Sequence, residues 1–167
     1  MIKIIFVCHG NICRSPMAEF IMKYLVDKSG LNDDFEITSA ATSREALGCD
    51  MYPPARKKLS DMGIPFSKHT ARQLVKSDYE YYDFIVAMDA FNIDNIKDIT
   101  GSDTKHKIYK LLEFADRLEE VADPWYTGDF DKAYFDILHG CNGIISKYKD
   151  GILSEVIECS RHLNNIN

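Results

Sequence analysis

Residues 2–16 have the sequence IKIIFVCHGNICRSP, which carries two structural signals in succession. Residues 2–7 form a short apolar run of the kind found in buried parallel strands. A Gly-Asn pair follows at Gly10 and Asn11, where a tight turn is expected. Ser15 and Pro16 are then predicted to open a helix, with the serine as its N-cap and the proline at the first helical position. The segment therefore predicts a strand, a loop and a helix.

The same alternation continues along the chain. Further strands are predicted at residues 35–40, 84–88 and 108–111. Helices are predicted at 54–62, at 90–99 and from 130 to about 163, where Gly140 and Gly143 suggest a kink or break. Strands that alternate with helices indicate right-handed crossovers and a parallel sheet. We therefore expect an α/β fold with one domain over 1–167, in which helices flank a central four-stranded parallel sheet on both faces and a phosphate-binding loop follows the first strand.

The composition excludes several classes of protein. The chain has 167 residues, of which 46% are hydrophobic and 28% charged, as in ordinary soluble globular proteins. Its net charge of -6 argues against a nucleic-acid partner. No apolar run approaches the ~20 residues that span a bilayer, so no membrane span is expected. The cysteines fit neither a disulfide framework nor a zinc motif, and we expect a reduced, cytoplasmic protein without metal or cofactor; they are Cys8, Cys13, Cys49, Cys141 and Cys159.

The loop after the first strand has the chemistry of an anion site. Cys8 and Arg14 are separated by five residues and stand between a strand and a helix N-terminus, where backbone N–H groups and the helix dipole attract negative charge. Gly10 allows the positive φ that such a loop needs, and Asn11 is the next most tolerant residue. Arg14 can fork two hydrogen bonds onto a tetrahedral oxyanion, and the same field favours a Cys8 thiolate that can attack phosphorus. Cys8 as an inert buried residue is the alternative. The backbone of the loop is expected to bind substrate through His9, Gly10, Asn11, Ile12 and Cys13.

Residues 8–16, followed by Met17-Ala18-Glu19, resemble the signature of low-molecular-weight protein tyrosine phosphatases. Further matches cover nearly the whole chain, among them residues 39–43, 63–65, 71–73, 88–89 and 123–124. The resemblance implies that Asn11 holds the shape of the loop and that Ser15 donates a hydrogen bond to the Cys8 sulfur. It also implies that Ser39 and His69 support Asn11. For His69, an exposed loop histidine is the alternative.

A second motif, VADPWYTG at residues 121–128, contains the candidate general acid. A phenol leaving group needs a proton, and the following hydrolysis needs a base; one carboxyl group on a loop can serve both steps. The family resemblance selects Asp123, because the general acid of that family lies in an Asp-Pro-aromatic-aromatic loop. Trp125 and Tyr126 are expected to wall a slot for a phenyl ring. An ordinary Asp-Pro surface turn is the alternative.

The resemblance implies a metal-independent, cysteine-dependent protein-tyrosine phosphatase that hydrolyses phosphotyrosine and small aryl phosphates through a phosphocysteine intermediate. Its partners would be phosphotyrosine-containing proteins, and its product inorganic phosphate. It also implies a redox role for Cys13, which is able to form a protective disulfide with an oxidised Cys8. Three alternatives share the loop: an arginine phosphatase, which carries threonine where this chain has Ile12; an arsenate reductase, which needs a further close cysteine pair; and a phosphate-binding module without turnover.

Overall fold

Four parallel strands form one sheet in the computed structural model, which describes residues 1–162. They are β1 (Ile2–Cys8), β2 (Phe35–Ala41), β3 (Phe84–Ala87) and β4 (Ile108–Lys110), and their spatial order is β2-β1-β3-β4. The register runs from Ile2 opposite Phe35 to Cys8 opposite Ala41 between β1 and β2. The predicted four-stranded parallel sheet is confirmed, and its strand ends differ from the predicted ones by at most one residue.

The sheet is buried on both faces, which explains why its strands are continuous apolar runs. Successive side chains of a strand point to opposite faces. Ile4 and Phe6 of β1 accordingly belong to one core cluster, whereas Ile5 and Val7 belong to another.

Helices cover both faces, as predicted. Within residues 1–162 they are α1 (Arg14–Lys28), α2 (Pro53–Asp61), α3 (Asp78–Tyr81), α4 (Ala90–Thr100), α5 (Pro124–Thr127), α6 (Phe130–Lys149) and α7 (Ile152–His162). Helices α1, α2 and α6 contribute buried residues to the Phe6 side, and α3 and α4 to the Val7 side. Short 3-10 turns occupy Asn32–Asp34 and Leu111–Ala115. The sequence did not predict α3. None of the described helices is long and apolar enough to cross a membrane.

The predicted start of the first helix is wrong in detail. The helix begins at Arg14, with Cys13 in the N-cap position, and no side chain caps it. Ser15 is fully buried inside the first turn, where its hydroxyl lies 3.0 Å from the Cys8 sulfur instead of on a helix amide. Pro16 is therefore the third helical residue, still within the first turn, where its missing N–H removes no intrahelical bond.

The expected kink at Gly140 and Gly143 is also wrong. Helix α6 continues through both glycines and ends at Lys149. The break between α6 and α7 lies at Gly151, where φ is +78°. The two glycines allow close packing: a Cβ on Gly143 would lie 2.4 Å from the backbone oxygen of Phe114. The predicted end near Leu163 lies outside the described residues.

The topology sets the position of the functional loop. The chain crosses from β1 to β2 and then from β2 to β3, so that β2 and β3 lie on opposite sides of β1. Such a switch in strand order opens a crevice beyond the carboxyl end of the central strand. Cys8, the last residue of β1, lies at that crevice.

Candidate active site

The loop between Cys8 and Arg14 turns at Asn11, whose φ is +56°. Of the two residues expected to tolerate a positive φ in this loop, Asn11 adopts it and Gly10, the more tolerant of the two, does not. Asparagine is the non-glycine residue that best tolerates the left-handed region, but such a residue still needs support from its surroundings.

That support comes from four hydrogen bonds around the buried Asn11. Its Nδ2 donates to the Ser15 hydroxyl at 2.8 Å and to the Ser39 hydroxyl at 3.0 Å. Its Oδ1 accepts from the Arg72 backbone N–H at 3.2 Å, and its carbonyl oxygen lies 2.7 Å from His69 Nε2. His69 is buried rather than exposed in a loop. The structure thus brings both Ser39 and His69 onto Asn11.

A further layer of charged residues lies behind this network. The Ser39 hydroxyl donates to Glu19 Oε2 at 2.5 Å. Arg72 forms two hydrogen bonds with Asp78, at 2.9 and 3.2 Å. No role was predicted for Glu19, Arg72 or Asp78, because their contacts depend on tertiary packing that no local motif reveals.

Arg14 is almost completely buried and is held by two carboxylates. Its Nη1 donates to Asp89 Oδ2 at 2.7 Å and to the Val121 carbonyl at 2.8 Å, and its Nη2 lies 3.3 Å from Asp123 Oδ2. Burial alone lowers the pKa of Arg14, but the negative charges of Cys8, Asp123 and Asp89 outweigh it and raise the pKa. The guanidinium therefore stays charged. Its buried Nε has no partner among the described residues.

Asp89 was missed as a functional residue, although a signal for it existed. It follows Met88 directly after β3. The carboxyl ends of parallel strands meet at one edge of the sheet, so a carboxylate there lies near the loop that follows β1.

Asp123 is fixed at the opening of α5. Its Oδ1 accepts the backbone N–H of Trp125 at 3.0 Å, which makes it the N-cap of that helix. The Trp125 ring lies 4.9 Å from the Tyr52 ring, centroid to centroid. Tyr52 was not among the predicted site residues, but it backs the aromatic wall.

A cavity of about 220 Å³ joins these groups. Four of the predicted site residues lie outside its lining, namely Asn11, Ser15, Ser39 and His69. Glu45 and Ala46 line its rim, and they belong to the loop 42–52, which the family resemblance indicates as the variable rim of the pocket. His9 Nε2 lies 2.9 Å from Glu45 Oε2. The remaining predicted site residues line the cavity: Cys8, His9, Gly10, Ile12, Cys13, Arg14, Asp123, Trp125 and Tyr126.

Cys13 lies beside Cys8, and both thiols are free and buried. Burial, the charge of Cys8 and that of Asp123 raise the pKa of Cys13 to about 12. Cys49 and Cys159 are exposed, and Cys141 is buried in α6, so none of the three lines the cavity. Within residues 1–162, no three His, Cys, Asp or Glu side chains come together as a metal-binding group.

Comparison with known proteins identifies close relatives of this arrangement. A family model described as low molecular weight phosphotyrosine protein phosphatase matches residues 3–151. The low molecular weight protein-tyrosine-phosphatase PtpA of Staphylococcus saprophyticus is 40% identical over 147 residues, which cover 87% of this chain and 93% of that protein. The crystal structure of YfkJ from Bacillus subtilis has a TM-score of 0.86 at 36% identity and covers 90% of this chain and 96% of that one. A Drosophila arginine phosphatase has a TM-score of 0.80 at 33% identity, with coverages of 89% and 98%.

Proposed function

Since this chain belongs to the low molecular weight phosphotyrosine protein phosphatase family, we propose that it hydrolyses phosphotyrosine through a phosphocysteine intermediate on Cys8. One observation carries the assignment of roles: Cys8, Arg14 and Asp123 line the same cavity at the carboxyl end of β1. They supply a nucleophile, a fixed cation and a proton donor, which are the three groups that the reaction needs.

In the first step the Cys8 thiolate attacks phosphorus. The S–P bond forms as the bond from phosphorus to the phenolic oxygen breaks. The loop N–H groups and Arg14 donate to the equatorial phosphate oxygens. Two nitrogens of Arg14 form the fork: Nε, which has no partner among the described residues, and Nη2, which leaves Asp123 for the phosphate. Protonated Asp123 transfers its proton to the departing phenolic oxygen.

Binding of the phosphate also changes the contacts of Asp123. In the structure, Arg14 Nη2 lies 3.3 Å from Asp123 Oδ2. A phosphate on Arg14 takes over that donor, which leaves the Asp123 carboxyl group available to the leaving oxygen.

In the second step Asp123, now a carboxylate, accepts a proton from water as the water oxygen attacks phosphorus. The S–P bond breaks, inorganic phosphate leaves and the Cys8 thiolate returns. The Ser15 hydroxyl, 3.0 Å from the Cys8 sulfur, donates to the departing thiolate.

The choice of phosphotyrosine over phosphoarginine rests on Ile12 and the aromatic wall. Ile12 lines the cavity, and an apolar side chain suits a phenyl ring better than a guanidinium, which needs a polar partner. Trp125 and Tyr126 offer flat faces to the same ring. The dispersed positions of Cys49, Cys141 and Cys159 disfavour the disulfide relay of an arsenate reductase.

Phosphoproteins are the substrates that the family implies, and we assign phosphotyrosine-containing proteins among them. A cytoplasmic location suits this chemistry, because Cys8 acts as a thiolate and the cytoplasm keeps thiols reduced. Residues 1–167 are taken as one phosphatase domain.

Steady-state turnover of matched phosphotyrosine and phosphoarginine peptides tests the proposal. We expect turnover of phosphotyrosine without added divalent ion, and loss of that turnover in Cys8→Ser and Arg14→Ala. Cys49→Ser is the matched control and should retain full activity, because Cys49 is exposed outside the cavity. Preference for phosphoarginine, or full activity of Cys8→Ser, contradicts the proposal.

A further inference from the structure

A second cavity, of about 290 Å³, lies at the amino ends of the strands, whereas the active site lies at their carboxyl ends. Lys3, Asp83 and Lys107 line it, and they stand at or just before the starts of β1, β3 and β4. Cys8 lies five positions after Lys3 along β1, which corresponds to roughly 16 Å along the strand. The two cavities are therefore separate sites.

The second cavity is rich in positive charge, although the chain carries a net charge of -6. Its ionic lining consists of two carboxylates, Glu80 and Asp83, and four cations, namely Lys3, Lys105, Lys107 and Arg161. Glu80 is already paired with Lys105. Asp83 Oδ2 already accepts the Lys3 backbone N–H at 2.9 Å.

Three of the cations lack a short ion pair among residues 1–162. The Lys3 ammonium rests on the Tyr81 ring, 3.9 Å from its centroid. The Lys107 ammonium donates to the carbonyls of Tyr79 and Tyr82. Arg161 reaches Asp83 only at 3.7 Å. Burial lowers the pKa of Lys107, and the neighbouring Lys105 lowers it further.

One wall of the cavity belongs to a segment that the family match leaves out. Ile157 and Arg161 lie on α7, and the family model ends at residue 151. The apolar side of α7 is anchored by the buried Leu153, so its last turn is held over the start of the sheet. The cavity thus depends on the position of α7 as well as on the starts of the strands.

We propose that this cavity is a second anion site, which binds a small molecule carrying phosphate groups. A phosphate offers several oxygens and up to two negative charges to converging lysines and one guanidinium. Such a ligand supplies the short ion pairs that Lys3, Lys107 and Arg161 lack among residues 1–162. The proposal does not depend on the reaction at Cys8.

Inorganic pyrophosphate is the probe, titrated into the ¹⁵N-labelled full chain and followed by amide chemical shifts. The active-site loop can bind the same anion, but its amides at residues 9–14 report on it separately. We expect saturable shifts at Lys3, Lys107 and Arg161 that weaken as ionic strength rises.

Lys3→Gln and Arg161→Gln test the assignment, and each should weaken this binding about tenfold, the usual effect of removing one charged hydrogen-bonding partner. The affinity at residues 9–14 should stay unchanged. Arg161 is mostly exposed, so its replacement leaves the core intact. Lys57→Gln, on α2 and outside the cavity, is the control for the change of one unit of charge. Shifts that never saturate, or equal binding by all three variants, overturn the proposal and leave only non-specific attraction to surface lysines.

Discussion

Asp123→Asn separates proton donation from every other role of this side chain. Asparagine keeps an oxygen that can accept the Trp125 N–H, and it is as good an N-cap as aspartate. The substitution removes the proton and the 3.3 Å pair with Arg14. Arg14 keeps its shorter bonds to Asp89 at 2.7 Å and to the Val121 carbonyl at 2.8 Å. We therefore expect the free energy of unfolding to fall by only about 1 kcal/mol.

The effect on catalysis should depend on the leaving group. Phenyl phosphate needs a proton on its leaving oxygen, and general acid catalysis contributes about 10²–10⁴-fold. We expect kcat/KM for phenyl phosphate to fall by that factor, whereas 4-nitrophenyl phosphate, which leaves readily as an anion, should lose far less. The parameter kcat/KM is the proper measure, because it includes leaving-group departure and excludes hydrolysis of the intermediate.

Two further variants serve as controls for the effect of Asp123→Asn. Asp129→Asn changes the same residue type at another N-cap, that of α6, and should leave both substrates unaffected. Asp89→Asn disturbs the orientation of Arg14 and should lower kcat/KM for both substrates by a similar factor. If Asp123→Asn also slows the two esters equally, Asp123 orients Arg14 and is not the proton donor.

Three other outcomes follow from the packing. Peroxide should inactivate the wild-type enzyme reversibly but Cys13→Ser irreversibly, measured as activity recovered with dithiothreitol. At a pKa of about 12, roughly one Cys13 thiol in 10⁴ is ionised at pH 8, so formation of the Cys8–Cys13 disulfide should accelerate as pH rises. Equal recovery of the two proteins excludes this disulfide. Ser39→Ala should lower kcat several-fold with little change in KM, because Asn11 loses a 3.0 Å bond that holds the loop; an unchanged kcat removes Ser39 from this role. Gly143→Ala should destabilise the fold by about 1–3 kcal/mol in urea unfolding, since its Cβ would meet the Phe114 backbone, whereas the adjacent Asn142→Ala should not.

The sheet was predictable because its signal is local. Each strand is an apolar run of a few residues between turn residues, and burial on both faces demands that pattern. Cys8 and Arg14 were predictable for the same reason, since both lie in one segment that joins a strand to a helix. The pairing of Arg14 with Asp89 was not, because it joins side chains 75 residues apart and depends on the strand order.

The errors arose where a residue serves a distant neighbour instead of its own element. Ser15 resembles an N-cap in the sequence, but its hydroxyl contacts the Cys8 sulfur and the Asn11 amide. Gly143 resembles a helix breaker, but it makes room for the Phe114 backbone. Gly10 has the higher intrinsic preference for a positive φ, yet Asn11 adopts it, because the Asn11 side chain makes three hydrogen bonds that a glycine could not make.

These contacts divide the site into two halves with different tolerance for change. The half that binds phosphate, from Cys8 to Ser15, is buried and held by several hydrogen bonds. Asn11 and Ser15 are fully buried, and Arg14 is only 2% exposed. The aromatic half stands on the four-residue helix α5, where Trp125 is 55% and Tyr126 82% exposed. We therefore expect the buried half to fix the chemistry, and Trp125, Tyr126 and the rim residue Glu45 to set the choice among phosphotyrosine substrates.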